Sequence, residues 1–419
     1  MTSTLIAILV WIVSYLVGAI PFGYVVGKLK GVDLFKTGSG NIGATNVGRV
    51  LGKPCGIFVF VLDFIKGAGP ALLAEPIAKA MNSGEVPFGD SHFVQVGAAA
   101  VAFLGHLFPI YLGFKGGKGV ATGAGAVLIV APFPAMMAVL AWIATVLSTR
   151  MVSAASIAAV VMLVLTRIGF VPNPWGISTL AGTVFCIVGS LFVVVKHRSN
   201  ISRILSGTEN QISDSPRRLV LMGSLHCLAV GLWFGGAAFF NFMAAPAIFD
   251  SFKNVVDEQP SDRTGGMRIL DENADAETRK KLANALAGAA VGPIFPLYFK
   301  MMAACGMFSV ITAWAWRSQG KRHRVRFVVL LCALILVAIG WPVSEWVTQL
   351  RLERISTDPR ISEAAIKQFG PAHMISLGLS MLTNLLTGMG LFLAGQLPQS
   401  AVPREKASTG NPSTSNESA

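Results

Sequence analysis

Two polar stretches dense in glycine carry the residue types that bind and position phosphate. They are Gly38-Ser39-Gly40-Asn41-Ile42-Gly43-Ala44-Thr45-Asn46-Val47-Gly48-Arg49 and Phe114-Lys115-Gly116-Gly117-Lys118-Gly119-Val120-Ala121-Thr122. Glycine lets backbone N–H groups converge on an anion, while Ser39, Asn41, Thr45 and Asn46 add directed donors and Arg49 a bidentate grip. The same composition also suits a flexible loop, since Gly and Asn fill ordinary turns. In the second stretch two lysines lie among glycines where a helix begins, so backbone donors, helix dipole and ammonium groups reinforce one another. A lysine pair snorkelling at a helix end is the competing account. Gly119 follows Lys118 and Leu occupies position 112, which excludes a Walker A loop.

Further candidates recur along the same half of the chain. His106 closes an apolar run three residues before Pro109, where it serves either as a structural hydrogen-bonder or to orient a substrate hydroxyl. Ser153 and Ser156, spaced i, i+3, share one face of a helix, a pattern that also serves tight helix packing. Lys196-His197-Arg198-Ser199-Asn200-Ile201-Ser202-Arg203 concentrates donors that bind phosphate or anchor the chain at a membrane face. Asp63 and Lys66, also i, i+3 inside an apolar helix, read as a mutual ion pair. None of the six histidines is followed by Asp at the fifth position, which argues against acyltransferases that use that pair, and no metal-ligand constellation is present. An activated acyl donor such as an acyl phosphate requires positioning and stabilisation of the departing charge more than a strong nucleophile.

These groups must be held by membrane helices. The 419 residues are 53% hydrophobic and 13% charged, with a mean hydropathy of +0.62, and read as an all-α polytopic membrane protein. The net charge of +13 sits beside apolar runs and forms no separate patch, so nucleic acid is not expected as a partner. Cys55, Cys186, Cys227, Cys305 and Cys332 show no paired spacing and read as packing residues. Runs long enough to span occur near 5–26, 54–80, 92–112, 153–170, 176–195, 219–242, 292–316, 326–347 and 374–395. The run 119–148 carries Pro132 and Pro134, so it forms either a hairpin of two shorter helices or one tilted span. Only the hairpin places every basic cluster on one side, the cytoplasmic side by the positive-inside tendency, with the acid-rich loops 82–90, 250–290 and 351–370 opposite. Polar, turn-rich residues 208–216 are expected to link a front domain, 1–207, to a four-span domain, 217–395, followed by a disordered tail, 396–419.

Taken in order, the Gly38–Arg49 motif, Gly105-His106 with Phe108-Pro109, Lys115–Thr122, Arg150 with Ser153 and Ser156, and Lys196-His197 with Asn200 and Arg203 resemble the bacterial acyl-phosphate:glycerol-3-phosphate acyltransferases, the PlsY family. That resemblance covers 1 to about 207. It implies a seven-helix bundle in the bacterial cytoplasmic (inner) membrane, with its site facing the cytoplasm. The implied activity moves a fatty acyl group from acyl phosphate to the 1-hydroxyl of glycerol 3-phosphate, without a cofactor, to give lysophosphatidate and phosphate. The implied catalytic residues are His106, Lys118, Ser153 and Asn200. Substrate and phosphate are assigned to Ser39, Asn41, Thr45, Asn46, Arg49, Gly116, Gly117, Ser156, Lys196, His197 and Arg203. A transporter or channel for an anionic solute is the alternative class. Residues 217–395 are similar, through Gly231-Leu232-Trp233-Phe234-Gly235 and the His373–Leu386 segment, to a family of four-span domains that includes the transmembrane protein 205 group. That likeness brings no established activity and leaves protein partners unknown, and a structural or partner-binding bundle is the plain reading. His226, Asn241, His373, Ser376 and Asn384 are expected to face the interior of that bundle.

Overall fold

A computed structural model describes residues 3–81, 91–257, 275–354, 356, 358–395 and 397. Nearly all of the tail, and the acid-rich loop 82–90, fall outside them. Among the described residues all regular structure is helical, and ten helical segments are long and apolar enough to cross a membrane. The front half consists of α1 (Ser3–Ala19), α2 (Phe22–Leu29), α3 (Ala44–Val50), α4 (Lys53–Met81), α5 (Ser91–Leu107), α6 (Val120–Val130), α7 (Pro132–Thr149), α8 (Val152–Phe170), α9 (Ile177–Lys196) and α10 (Arg198–Leu205). Large apolar side chains such as Ile57, Phe58, Leu72 and Leu191 face outward, as lipid contact requires. The interior is built on small residues. Where α4 crosses α6, a Cβ on Gly67 would lie 2.0 Å from the Thr122 carbonyl oxygen and one on Gly125 2.1 Å from that of Phe64. Only glycine permits this approach, and it seats the start of α6 against α4.

The run 119–148 is a hairpin. Ala131 leaves helical geometry between α6 and α7, where Pro132 and Pro134 cannot continue the α6 hydrogen-bond ladder. Lys118, just before α6, and Ser153, just after α7, both reach the Asn200–Glu209 pair, so the chain returns to the face it left. The first apolar run also divides, at Pro21, and the Ile20 carbonyl there accepts a hydrogen bond of 2.7 Å from Lys66 Nζ.

The back half comprises α11 (Pro216–Phe239), α12 (Ala245–Asp257), α13 (Ala276–Val291), α14 (Ile294–Trp316), α15 (Lys321–Glu353) and α16 (Pro359–Ala394). Residues 258–274 lie outside the described residues; within those described, two expected loops are largely helical. The stretch 250–290 contains the end of α12 and most of α13, which pack together, and 351–370 contains the end of α15 and the first turns of α16. Their charged faces hide short apolar stripes from a span-length hydropathy window. His226 and Trp233 are fully buried in the bundle and Asn384 nearly so. The bundle docks on α7, whose Met137 and Ala141 join Val230, Trp233, Met302 and Leu330 in one core, while Phe170 of α8 stacks edge-on against Trp341 of α15.

Candidate active site

A cavity of about 440 Å³ opens among α3–α9 with two chemically distinct parts. Its polar part is lined by Ser39, Asn41, Thr45, Asn46, Arg49, His106, Lys118, Ser153, Ser156, His197 and Asn200. Its apolar part continues between Phe103, Val127, Ala135, Trp142, Leu163 and Phe185. Ser153, Ser156, Val160 and Leu163 follow one stripe of α8 into it, as the i, i+3 serine spacing anticipates. Gly116, Gly117, Lys196 and Arg203, expected to bind substrate, do not line the cavity, and each has another job.

The Gly38–Gly43 loop is organised from within by Asn46. Its Oδ1 accepts from the Ser39 amide at 2.7 Å, and its Nδ2 donates to the carbonyls of Asn41 at 2.8 Å and Thr37 at 3.0 Å. Asn46 is 2% exposed, so its amide is committed to shaping the loop. Asn41 Oδ1 likewise accepts from the Gly43 amide at 2.8 Å. Ser39, Thr45 and Arg49 are left exposed at the mouth, where their side chains can meet an anion.

The second glycine stretch lies over a buried charged group. Lys66 Nζ is 2.7 Å from Asp63 Oδ1, the ion pair expected from their spacing, and His106 Nδ1 is 3.7 Å from the same oxygen. A Cβ on Gly117 would fall 2.2 Å from His106 Nε2, and one on Gly116 2.2 Å from the His106 carbonyl oxygen. These glycines therefore lay the loop directly on His106. Gly119, at φ +83°, then turns the chain into α6 in a conformation that favours glycine. Lys196 reaches sideways: its Nζ donates to the Leu107 carbonyl at 3.2 Å over the Phe108 ring. It fastens the end of α5.

A carboxylate in the expected linker completes the polar part. Glu209 lines the cavity and is 8% exposed. Its Oε1 accepts from Ser153 Oγ and Asn200 Nδ2, both at 2.7 Å, and its Oε2 accepts from Arg203 Nε at 2.7 Å. Lys118 Nζ donates to Asn200 Oδ1. Residues 208–216 thus form a strap across the α7–α8 corner. The Ile212 amide donates to the Arg150 carbonyl at 2.8 Å, and Asp214 lies 3.4 Å from Arg150 and 2.8 Å from Arg218 of α11. Sequence reasoning passed over Glu209 because an acid in a polar, turn-rich segment looks solvated. The one available signal was its place six residues after Arg203.

Charge is finely set here. Burial pushes the Lys118 ammonium down to about 8, opposed by the Glu209 carboxylate and reinforced by Arg203 and Arg49, so it is mostly protonated at neutral pH. Burial also pushes His197 down to about 4, and its Nδ1 donates to the Val193 carbonyl at 2.8 Å. The carbonyl acceptor fixes that tautomer and leaves Nε2 a lone pair. Burial pushes the Glu209 carboxyl up, but hydrogen bonds from Ser153, Asn200 and Arg203 more than offset it and hold it below the usual range.

Residues 8–207 match the family model described as glycerol-3-phosphate acyltransferase, and 278–355 match a domain of unknown function, DUF4149. The glycerol-3-phosphate acyltransferase of Aquifex aeolicus is 42% identical over 207 residues, which cover 49% of this chain and 98% of that one. The corresponding protein of Geobacter sulfurreducens is 42% identical over 199 residues, 48% of this chain and 94% of the relative. A crystal structure of PlsY (YgiH), an integral membrane glycerol 3-phosphate acyltransferase in its glycerol 3-phosphate form, is 41% identical, covers 49% of this chain and 96% of its own, and superposes with a TM-score of 0.43.

Proposed function

This chain belongs to the glycerol-3-phosphate acyltransferase family, and from that premise we propose that its front domain takes the acyl group from an acyl phosphate and passes it to the 1-hydroxyl of glycerol 3-phosphate. The observation that carries this reading is the junction at Lys118 and Asn200, where a phosphate-binding polar pocket meets an apolar channel suited to an acyl chain. Phosphate on either substrate would meet Lys118, Arg49, Ser39 and Thr45, while the chain would lie along Phe103, Ala135, Leu163 and Phe185. The glycerol oxygen attacks the acyl carbonyl carbon, the bond from that carbon to the phosphate oxygen breaks, and inorganic phosphate departs. The hydroxyl proton passes to a phosphate oxygen, so no protein base is required. Lys118 and the donors beside it stabilise the charge that grows on the leaving group. Neutral His197 offers a lone pair to a glycerol hydroxyl, and a bound dianion would recharge the ring into a phosphate donor. Asn46, Gly116, Gly117, Lys196, Arg203 and Glu209 serve as positioning residues.

The basic clusters around the mouth support the reading that it faces the cytoplasm from a bacterial inner membrane. We read residues 1 to about 207 together with the Glu209 strap as the functional front unit, and α11–α16 as a second membrane domain. The names of the relatives lend no support to solute transport.

The deciding experiment measures phosphate release from acyl phosphate by the purified full chain, with and without glycerol 3-phosphate, beside Lys118→Ala. Acceptor-dependent release that falls on the order of 10²–10³-fold in the variant is expected. Folded protein without acceptor-dependent release would overturn the donor assignment.

A further inference from the structure

The back domain holds a second cavity, of about 280 Å³, toward the end of the bundle away from the catalytic mouth. From Lys321, at the catalytic end, α15 climbs about 45 Å before it reaches Arg351 at this cavity. Two polar anchors and an apolar wall define it. At the outer anchor, Arg351 and His373 both line the space. His373 stacks on Phe369, whose ring also carries the Arg354 guanidinium at 4.4 Å. Among the described residues no Asp or Glu lines the cavity and Arg351 has no carboxylate partner; its Nη1 donates to the Gly288 carbonyl at 3.3 Å. At the inner anchor, Asn241 Nδ2 donates to Ser380 Oγ at 2.8 Å, with the Tyr298 hydroxyl joining them.

The chain is shaped to make that inner anchor. Helix α11 ends in a π-helical turn, Phe240–Ala244, which carries Asn241 into the cavity. Such turns widen the helix at an energetic cost and concentrate at functional sites. Along α16, His373, Ser376, Ser380 and Thr383 all line the space, a polar stripe at i, i+3, i+7, i+10 about 10 Å from first to third member. The facing wall is Phe240, Phe295, Phe299 and Met302. A tightly packed structural core has no use for a stripe of hydroxyls, a widened helix and a guanidinium without a described carboxylate partner around one open volume.

We propose that the back domain is a binding site for a single-chain amphiphilic anion, its phosphate or carboxylate head at Arg351 and His373, a polar atom of its backbone at Asn241 and Ser380, and its chain against the aromatic wall. The volume lies just below the usual range of small-ligand sites, roughly 300–1,000 Å³, and takes a head and part of one chain. Two sources share this chemistry: a free fatty acid and a lysophosphatidate-type lipid. The site stands whether or not the front domain uses acyl phosphate.

The test uses the full chain in nonionic detergent with diazirine-bearing fatty acid, diazirine-bearing lysophosphatidate and a neutral diazirine monoacylglycerol, each mapped by peptide mass spectrometry. Either acid should label the Phe295–Met302 peptide at least fivefold more than the neutral probe, and the acid that labels identifies the head group. In Arg351→Gln that labelling should drop at least fivefold, while labelling of the front cavity and acceptor-dependent turnover stay at their original levels. Asn241→Leu repeats the test at the inner anchor and covers the case in which Arg351→Gln fails to fold, which lost turnover would reveal. Equal labelling by the neutral probe, or acid labelling that survives both substitutions in active protein, overturns the proposal.

Discussion

At the scale of single residues, the polar part works as one electrostatic unit whose charge is tunable. Burial holds the Lys118 ammonium at about 8, and the Glu209 carboxylate opposes that shift. A Lys below its pKa is charged, so substrate phosphate binding is fully supported below about pH 8 and is lost as pH rises through that value. The alkaline limb of kcat/KM for glycerol 3-phosphate reports this free-enzyme titration. Glu209→Gln removes the charge that raises the Lys118 pKa, so the limb should move to lower pH, with the acid side of the profile little changed. Glu209→Ala should in addition lower thermal stability, because Ser153, Asn200 and Arg203 lose a shared acceptor. A limb that keeps its position in Glu209→Gln would separate Lys118 from Glu209. Residue types were legible here ahead of residue roles. Sequence singled out Asn46 as a directed donor for an anion, whereas in the fold its amide is consumed by the loop's own backbone groups. Glu209 was illegible because burial, which makes an acid informative, is a property of the fold.

Elements set the distances between those residues through close backbone approach. Gly117 is the instance beside Lys118, for its missing Cβ leaves room for His106 Nε2, and His106 in turn packs beside the Asp63–Lys66 pair that bonds the α1–α2 break. In Gly117→Ala the loop must lift from His106 and carry Lys118 with it. Turnover is expected to fall on the order of 100-fold, the effect of a displacement near 1 Å at a positioned group. The double variant Gly117→Ala/His106→Ala should recover part of the melting temperature lost by the single one, the signature of a direct steric coupling. Melting temperatures that add independently would place the strain elsewhere in the loop. The hairpin α6–α7 was legible from Pro132 and Pro134 together with the distribution of basic residues, because both constraints act at the level of whole spans. Helices α12 and α13 were not, since their apolar stripes are too narrow to raise the mean hydropathy of a long window and gain their meaning from packing on one another.

Across the whole molecule, α7 is the wall shared by the two domains. Ala135, Ala138 and Trp142 face the catalytic cavity, while Met137, Ala141 and Ala144 are buried against α11 and α14 of the back bundle. Sequence counted the spans on both sides of the strap but could not dock them. In a bilayer, lipid-facing and helix-facing surfaces are both apolar, so the pattern that marks a core face in water is absent. The docking has a functional consequence because the acyl channel cannot widen on its α7 side without displacing the back domain. Ala141, 1% exposed, tests this at a position that touches no substrate. Ala141→Phe overpacks the interface at a cost of about 1–3 kcal/mol, and its relief lies toward the channel. The expected result is a lower melting temperature together with a raised KM for long-chain acyl donors relative to short ones, and an unchanged KM for glycerol 3-phosphate, whose polar site lies at the other end of the hairpin. Destabilisation with chain preference intact would instead make α7 a rigid partition, across which the back domain influences stability and leaves acyl selection alone.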